Sequence, residues 1–321
     1  MSANLANLTL SRDDRPIAIA AMFIVVILIA GTAYTWAHFG SLPLLSPTYL
    51  LQQLQIGSFL GIVAAGMMIV ILISQIDLSV PWTLTAAAMM GTAVGGPLAI
   101  PVGLAVGLLV GLVNGIGVAY LRVPSMIFTL GVNAVMRGLM VAHTGGFAPQ
   151  TTSTELMITL ASGRSFGIPN ALFVWAAVSI AVVVMLQRTP LGRYIYAIGN
   201  KEAAAYLAGV NTRSVVVICF ALCGLMAGLA GVLLAGYSTK AYQSMGDAYL
   251  LPAIAAVVIG GTNILGGRGR YLGTLVGVVL IVLLNSVLSI MDMPEAGRQV
   301  IYGAVIIMML LVYGRGEQVT S

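Results

Sequence analysis

From the N-terminus onward the chain alternates long apolar runs with short breaks carrying Gly, Pro or charge. Runs of about 20 apolar residues cross a hydrocarbon core as α-helices, because each backbone polar group must be satisfied inside its own element. The pattern predicts about ten spans, at 17–36, 50–74, 81–96, 98–120, 125–143, 170–187, 213–236, 248–262, 271–291 and 296–313. The third and eighth are short enough to be broken or partly re-entrant. The first is too long for a signal h-region and lacks an obvious cleavage site, so it is read as a helix, with a loose tail before Arg15. Ten-residue segments of alternating polarity are absent, which argues against a barrel. The fold class is therefore all-α, a polytopic integral membrane protein.

Composition agrees: 60% of residues are hydrophobic, 7% are charged and the mean hydropathy is +1.04, which leaves no soluble domain over. The 321 residues read as a single transmembrane unit. The net charge of +5 comes from fourteen Lys and Arg scattered singly, a topology signal rather than a nucleic-acid surface. With the N-terminus cytoplasmic, Arg12, Arg15, Arg122, Arg188, Arg193, Lys201, Arg213, Arg268, Arg270 and Arg315 fall inside, and Arg164, Lys240 and Arg298 outside. Both termini are then cytoplasmic, and Thr144 to Asn170, with Thr151, Thr152, Ser153 and Glu155, forms an external loop. Cys219 and Cys223 share a helix face as packing residues, and His38 and His143 have no partner at metal spacing, so neither metal nor cofactor is expected.

An offset of 170 residues superposes rare residues without a gap: Gly61 on Gly231, Gly66 on Gly236, Asp77 on Asp247, Gly91-Thr92 on Gly261-Thr262, Gly103 on Gly273 and Gly107 on Gly277. Five spans separate the members of each pair, so the halves have opposite topology, with Asp77 at the inner face and Asp247 at the outer. The expectation is an inverted five-plus-five repeat with a site between the halves. Glycines at four-residue spacing (Gly103, Gly107, Gly111 and Gly115; Gly224 and Gly228; Gly273 and Gly277) predict closely packed helices within the subunit. Polar residues inside the spans are the candidates for a translocation pathway: Asp77, Asn114, Thr129, Asn133, Thr262, Asn263 and Asn285, with Arg137 a costly further case. Asp77, just before Ser79 and Pro81, also suits a helix cap.

Gln187 to Arg213 is the long polar interruption of the C-terminal half and reads as a cytoplasmic loop on which a partner docks. Within it, Glu202 to Ala208 predicts a short helix ended by Gly209, and Gly192 and Gly199 flank a turn.

At this point several motifs in order carry a resemblance: Ile76-Asp77-Leu78-Ser79-Val80; Val123-Pro124-Ser125 with Thr129-Leu130-Gly131; Thr189-Pro190-Leu191-Gly192-Arg193 with Ala197-Ile198-Gly199-Asn200 and Ala203-Ala204; and Val257 to Thr262 with Gly266-Gly267. From about Gln52 to Tyr313 the chain resembles the permeases of ribose, xylose and galactose ATP-binding cassette importers. Such permeases usually read Gly-Gly before the Ile-Asp pair and Gly after the Val, where this chain has Ser74-Gln75 and Pro81, so the helix entry there is expected to differ.

The resemblance implies a multi-pass protein of the bacterial inner membrane that hydrolyses nothing itself. It implies pairing with a second permease subunit, same or related, and two cytoplasmic ATP-binding subunits or domains docked on the 187–213 loop. An external binding protein would deliver a monosaccharide or related polyol. The coupling residues it implies are Leu191, Gly192, Arg193, Gly199, Asn200, Glu202, Ala203, Ala204, Ala208 and Gly209. A nucleotide motif G-x-x-x-x-G-K-[ST] is absent, in line with separate ATPase subunits. A secondary transporter or channel working without ATP is the alternative. An intramembrane enzyme would need clustered carboxylates, histidines or a metal set, and the sequence has none.

Overall fold

The computed structural model describes residues 15–147, 151–304 and 307. Among them the chain forms eleven principal helices: α1 (Arg15–Phe39), α2 (Pro47–Leu72), α3 (Val80–Val94), α4 (Ala99–Ala119), α5 (Ser125–Thr144), α6 (Glu155–Ser162), α7 (Asn170–Arg188), α8 (Pro190–Leu207), α9 (Thr212–Ser238), α10 (Leu250–Ile259) and α11 (Tyr271–Ile290). Residues 295–304 are also helical. The remainder of the tenth expected span and the tail before Arg15 lie outside the described residues. Among the described residues seven helices are long and apolar enough to cross a membrane: α1, the stretch Gly96–Ala119 that contains α4, α2, α5, α7, α9 and α11. The third and eighth expected spans are the short ones, at 15 and 10 residues for α3 and α10.

Two helices form the spine. α2 is buried along most of its length from Gly57 onward, and α9 packs against it and against α3, α4 and α6. On the other side α10 and α11 pack on α2 and on each other, and α1 lies outside α11. Helices in lipid gain little from apolar burial, so they associate where backbones approach closely. The α4 glycine stripe does this within the subunit: a Cβ on Gly107 would strike the carbonyl of Gly224, and one on Gly111 the carbonyl of Phe220. Likewise Gly273 and Gly277 of α11 lie against the carbonyls of Gly260 and Ala256. Cys219 and Cys223 are buried and unbonded to one another, and Cys223 is more than a packing residue because its side chain hydrogen-bonds Asp77.

The bundle has two distinguishable ends. At one lie α8, the start of α9, the 120–122 turn, the end of α2 and the 260–270 turn, on which Pro16 at the start of α1 rests through Gly261. At the other lie α6, the start of α2 through a Gln55 Nε2 bond to the Ala161 carbonyl, and the end of α9, where Ser153 N donates to the Thr239 carbonyl.

Two sequence expectations change. The 144–170 segment is more than a loop: α6 is capped by Thr154, whose side chain accepts from Met157 N, and a two-residue hairpin pairs Arg164–Ser165 with Ile168–Pro169. The 187–213 segment is likewise mostly helical rather than a loop. Thr189 caps α8, with Pro190 at its first turn, and the region from Gly192 to Gly199 is helix, not a turn. Its helical period puts Ile195 and Ile198 on one buried face, and that burial holds the segment as helix.

Candidate functional site

α8 consists of two pieces separated at Lys201, whose φ of −163° and ψ of 101° are extended rather than helical. The first piece is seated in the protein. Gly192 is buried against the backbone of Leu186, and the half-buried Gly199 lies close against the Leu72 carbonyl and the Gly267 amide. The glycine at 199 thus serves close approach. Gly267 N donates to the Leu72 carbonyl at 2.9 Å, so the end of α2 and the 262–268 turn meet directly beneath α8. Tyr196 adds a bond from its hydroxyl to the Gly269 carbonyl at 2.9 Å, and Leu191 packs against the core. Arg193 and Asn200 are exposed, and Asn200 Nδ2 donates back to the Tyr196 carbonyl.

The second piece faces outward. Glu202 lies 3.5 Å from the Arg122 guanidinium and accepts from Thr212 Oγ1 at 3.2 Å, which ties this piece to the α4–α5 turn and to the start of α9. Ala203, Ala204, Ala208 and Gly209 are exposed, as are Tyr206 at 68% and Leu207 at 85%, which makes an apolar surface open among the described residues. Gly209, at φ +86°, ends it in the left-handed conformation that glycine adopts without strain.

Between α2 and α3 the chain is irregular, and its freed amides are met by side chains. Ser125 Oγ accepts from Ile76 N at 3.3 Å, Thr129 Oγ1 from Leu78 N at 2.9 Å, and Asn133 Oδ1 from Trp82 N at 3.3 Å. These three sit four residues apart on α5 and form one stripe. A broken helix is tolerated at membrane depth when neighbouring side chains supply such bonds. Asp77 is 1% exposed; its Oδ1 accepts from Ser79 N at 2.9 Å and Ser79 Oγ at 2.6 Å. Asn114 Nδ2 donates to Ser79 Oγ at 2.7 Å and to both Asp77 oxygens at 3.3 and 3.4 Å. Asp77 is thus the acceptor that closes the turn before α3, with neutral donors around it. Arg137, further along α5, is exposed and stacks 5.9 Å from the Trp82 ring centroid.

The structure therefore brings Asp77, Asn114, Thr129 and Asn133 into one neighbourhood. Thr262 and Asn263 lie elsewhere, in the turn under α8: Thr262 Oγ1 is buried without a hydrogen-bond partner among the described residues, and Asn263 Oδ1 accepts from Leu265 N. Asn285 belongs to a third place, accepting from Arg298 NH1 at 2.8 Å. Thr83 is not among the pathway candidates read from the sequence, nor are Ser74, Ser79 and Ser125, which stand in its motifs. The four-residue spacing of Ser125, Thr129 and Asn133 was the available signal for the last of these. Among the described residues no group of three His, Cys, Asp or Glu is placed to hold a metal.

The family described as branched-chain amino acid transport system / permease component matches residues 49–310. The chain belongs to this permease family. Among its relatives, the ribose import permease RbsC of Escherichia coli strain K12 is 38% identical over 281 residues, covering 84% of this permease and 88% of that protein. The RbsC protein of Bacillus subtilis strain 168 is also 38% identical, over 84% of this permease and 85% of its own length. The autoinducer 2 import system permease LsrC of Yersinia enterocolitica is 30% identical over 79% and 72%. No solved structure matches the permease.

Proposed function

We propose that the permease is the membrane-spanning subunit of a binding-protein-dependent ATP-binding cassette importer for a monosaccharide or related polyol. It works with a second permease subunit, two cytoplasmic ATPase subunits and an external binding protein, in a bacterial inner membrane. The observation that carries the reading is α8: one piece locked onto the end of α2 and the 262–268 turn, the other displaying Tyr206 and Leu207 to solvent. A surface rigidly tied to helices is what transmits a rigid-body motion. The named substrates of the relatives, ribose and autoinducer 2, favour a polyhydroxylated solute.

Orientation follows from charge. Arg122, Arg188, Arg193, Lys201, Arg213, Arg268 and Arg270 belong to the α8 end, while Arg164, Lys240 and Arg298 belong to the other, so the α8 end is read as cytoplasmic. The ten-span, inverted-repeat architecture is part of the same proposal. A shift of 170 carries α3 onto α10 and α4 onto α11; in packing, α3 and α4 lie on α9 as α10 and α11 lie on α2.

The test is reconstitution with candidate ATPase and binding-protein subunits and a panel of labelled pentoses and hexoses, ribose included. Uptake should require ATP, the binding protein and the ATPase subunit together. Uptake of equal size without nucleotide would assign the protein to secondary transport instead.

A further inference from the structure

Ser74 stands in the left-handed region at φ +62°, where glycine is the low-strain occupant. The strain is accompanied by a contact that glycine could not make. Ser74 Oγ donates to the Leu265 carbonyl at 2.6 Å, with the Gly199 carbonyl 3.4 Å away as a second, weaker acceptor. Ser74 N in turn donates to the Ile71 carbonyl at 2.9 Å, which holds the residue against the end of α2. Gly266 lies so close to Ser74 Oγ and N that a Cβ there would clash, so the turn carrying Leu265 is fitted around this serine. One exposed hydroxyl therefore joins the end of α2, the first piece of α8 and the 262–268 turn. Two residues further on, Ile76 N is held by Ser125, and Asp77 follows.

We propose that Ser74 is a positioning residue for energy coupling. Its hydroxyl locks the α2–α3 turn to α8 and to the 262–268 turn, so that displacement of α8 is delivered to the break at Asp77. The proposal rests on the reading of α8 as the ATPase dock. A purely packing role is a poor account of the residue, because Ser74 is exposed and its backbone conformation favours glycine.

The experiment uses the complete reconstituted complex with wild-type permease, Ser74→Gly and Ser74→Ala. The readouts are retained ATPase subunit, thermal stability, ATP hydrolysed, and uptake of the labelled pentose or hexose that the wild-type complex accumulates best. Both variants should retain the ATPase subunit, and Ser74→Gly should be at least as stable as wild type because its φ is relieved. Both should nevertheless transport about fivefold less sugar per ATP, the scale expected for one lost hydrogen bond. A wild-type transport ratio in both variants would overturn the proposal. So would uptake that merely follows stability, falling in Ser74→Ala and recovering in Ser74→Gly, or loss of the ATPase subunit from both. Failure of the wild-type complex itself to show ATP-dependent uptake would instead bring down the reading of the protein as an importer subunit.

Discussion

Asp77 and Asp247 occupy matching positions 170 residues apart, each just before a short helix, yet their surroundings are opposite. Asp77 is buried among Ser79, Asn114 and the stripe of α5. Asp247 is exposed in a single 3-10 turn, and the chain beside it leans on α3: Gly246 N donates to Thr85 Oγ1 at 3.1 Å, and Gly246 lies under the Pro81 carbonyl. A helix that starts inside a bundle needs internal partners for its free amides, whereas one that starts at the surface has water. The same sequence mark thus has a structural cost in one half and almost none in the other.

The strongest way to break this arrangement is where the end of α2 meets the 262–268 turn beneath α8. Gly199→Leu would drive a side chain into the Leu72 carbonyl and into Gly267. We expect normal membrane insertion with loss of ATPase subunit binding and of uptake, read by pull-down and transport; an assembled, fully active variant would show α8 to be a mere connector. Asp77→Ala should come next, destabilising the purified protein by about 3 kcal/mol because Ser79 and Asn114 lose their acceptor in a buried place. Asp247→Ala should leave the melting curve unchanged, and equal losses at the two aspartates would erase the contrast.

A subtler comparison uses two buried threonines. Thr129→Val strands Leu78 N, with an expected cost of about 1–2 kcal/mol in chemical denaturation. Thr262→Val removes a hydroxyl that has no partner among the described residues and should fall within about 0.5 kcal/mol of wild type. The reverse order would mean that Thr262, not Thr129, supports the backbone. Smallest in stability is Ala204→Glu on the exposed piece of α8: folding should be unaffected, while ATPase-stimulated uptake falls measurably because the added charge must be desolvated on docking.

Much of this was legible in the sequence because the bilayer is a severe filter. Apolar run lengths identified the seven long apolar helices among the described residues, though not α6 or the first piece of α8, and the short third and eighth runs became α3 and α10. Gly209 marked the end of α8, since a positive φ has few other occupants. The motifs from Ile76 to Gly267 carried the permease family. Tertiary structure alone decided what the polar residues do. A side chain's partner depends on which helix lies opposite, and helices far apart in sequence are set by packing that no local pattern records. Hence Thr129 and Asn133 turned out to serve the backbone of a segment some fifty residues earlier, and Asn285 to hold Arg298. The polar stretch at 187–213 resembled a loop because half of its surface is solvated. It is helical because Ile195, Ile198 and two close-packed glycines hold its other face in the bundle, and that contact exists only once α2 and the 262–268 turn have come together beneath it.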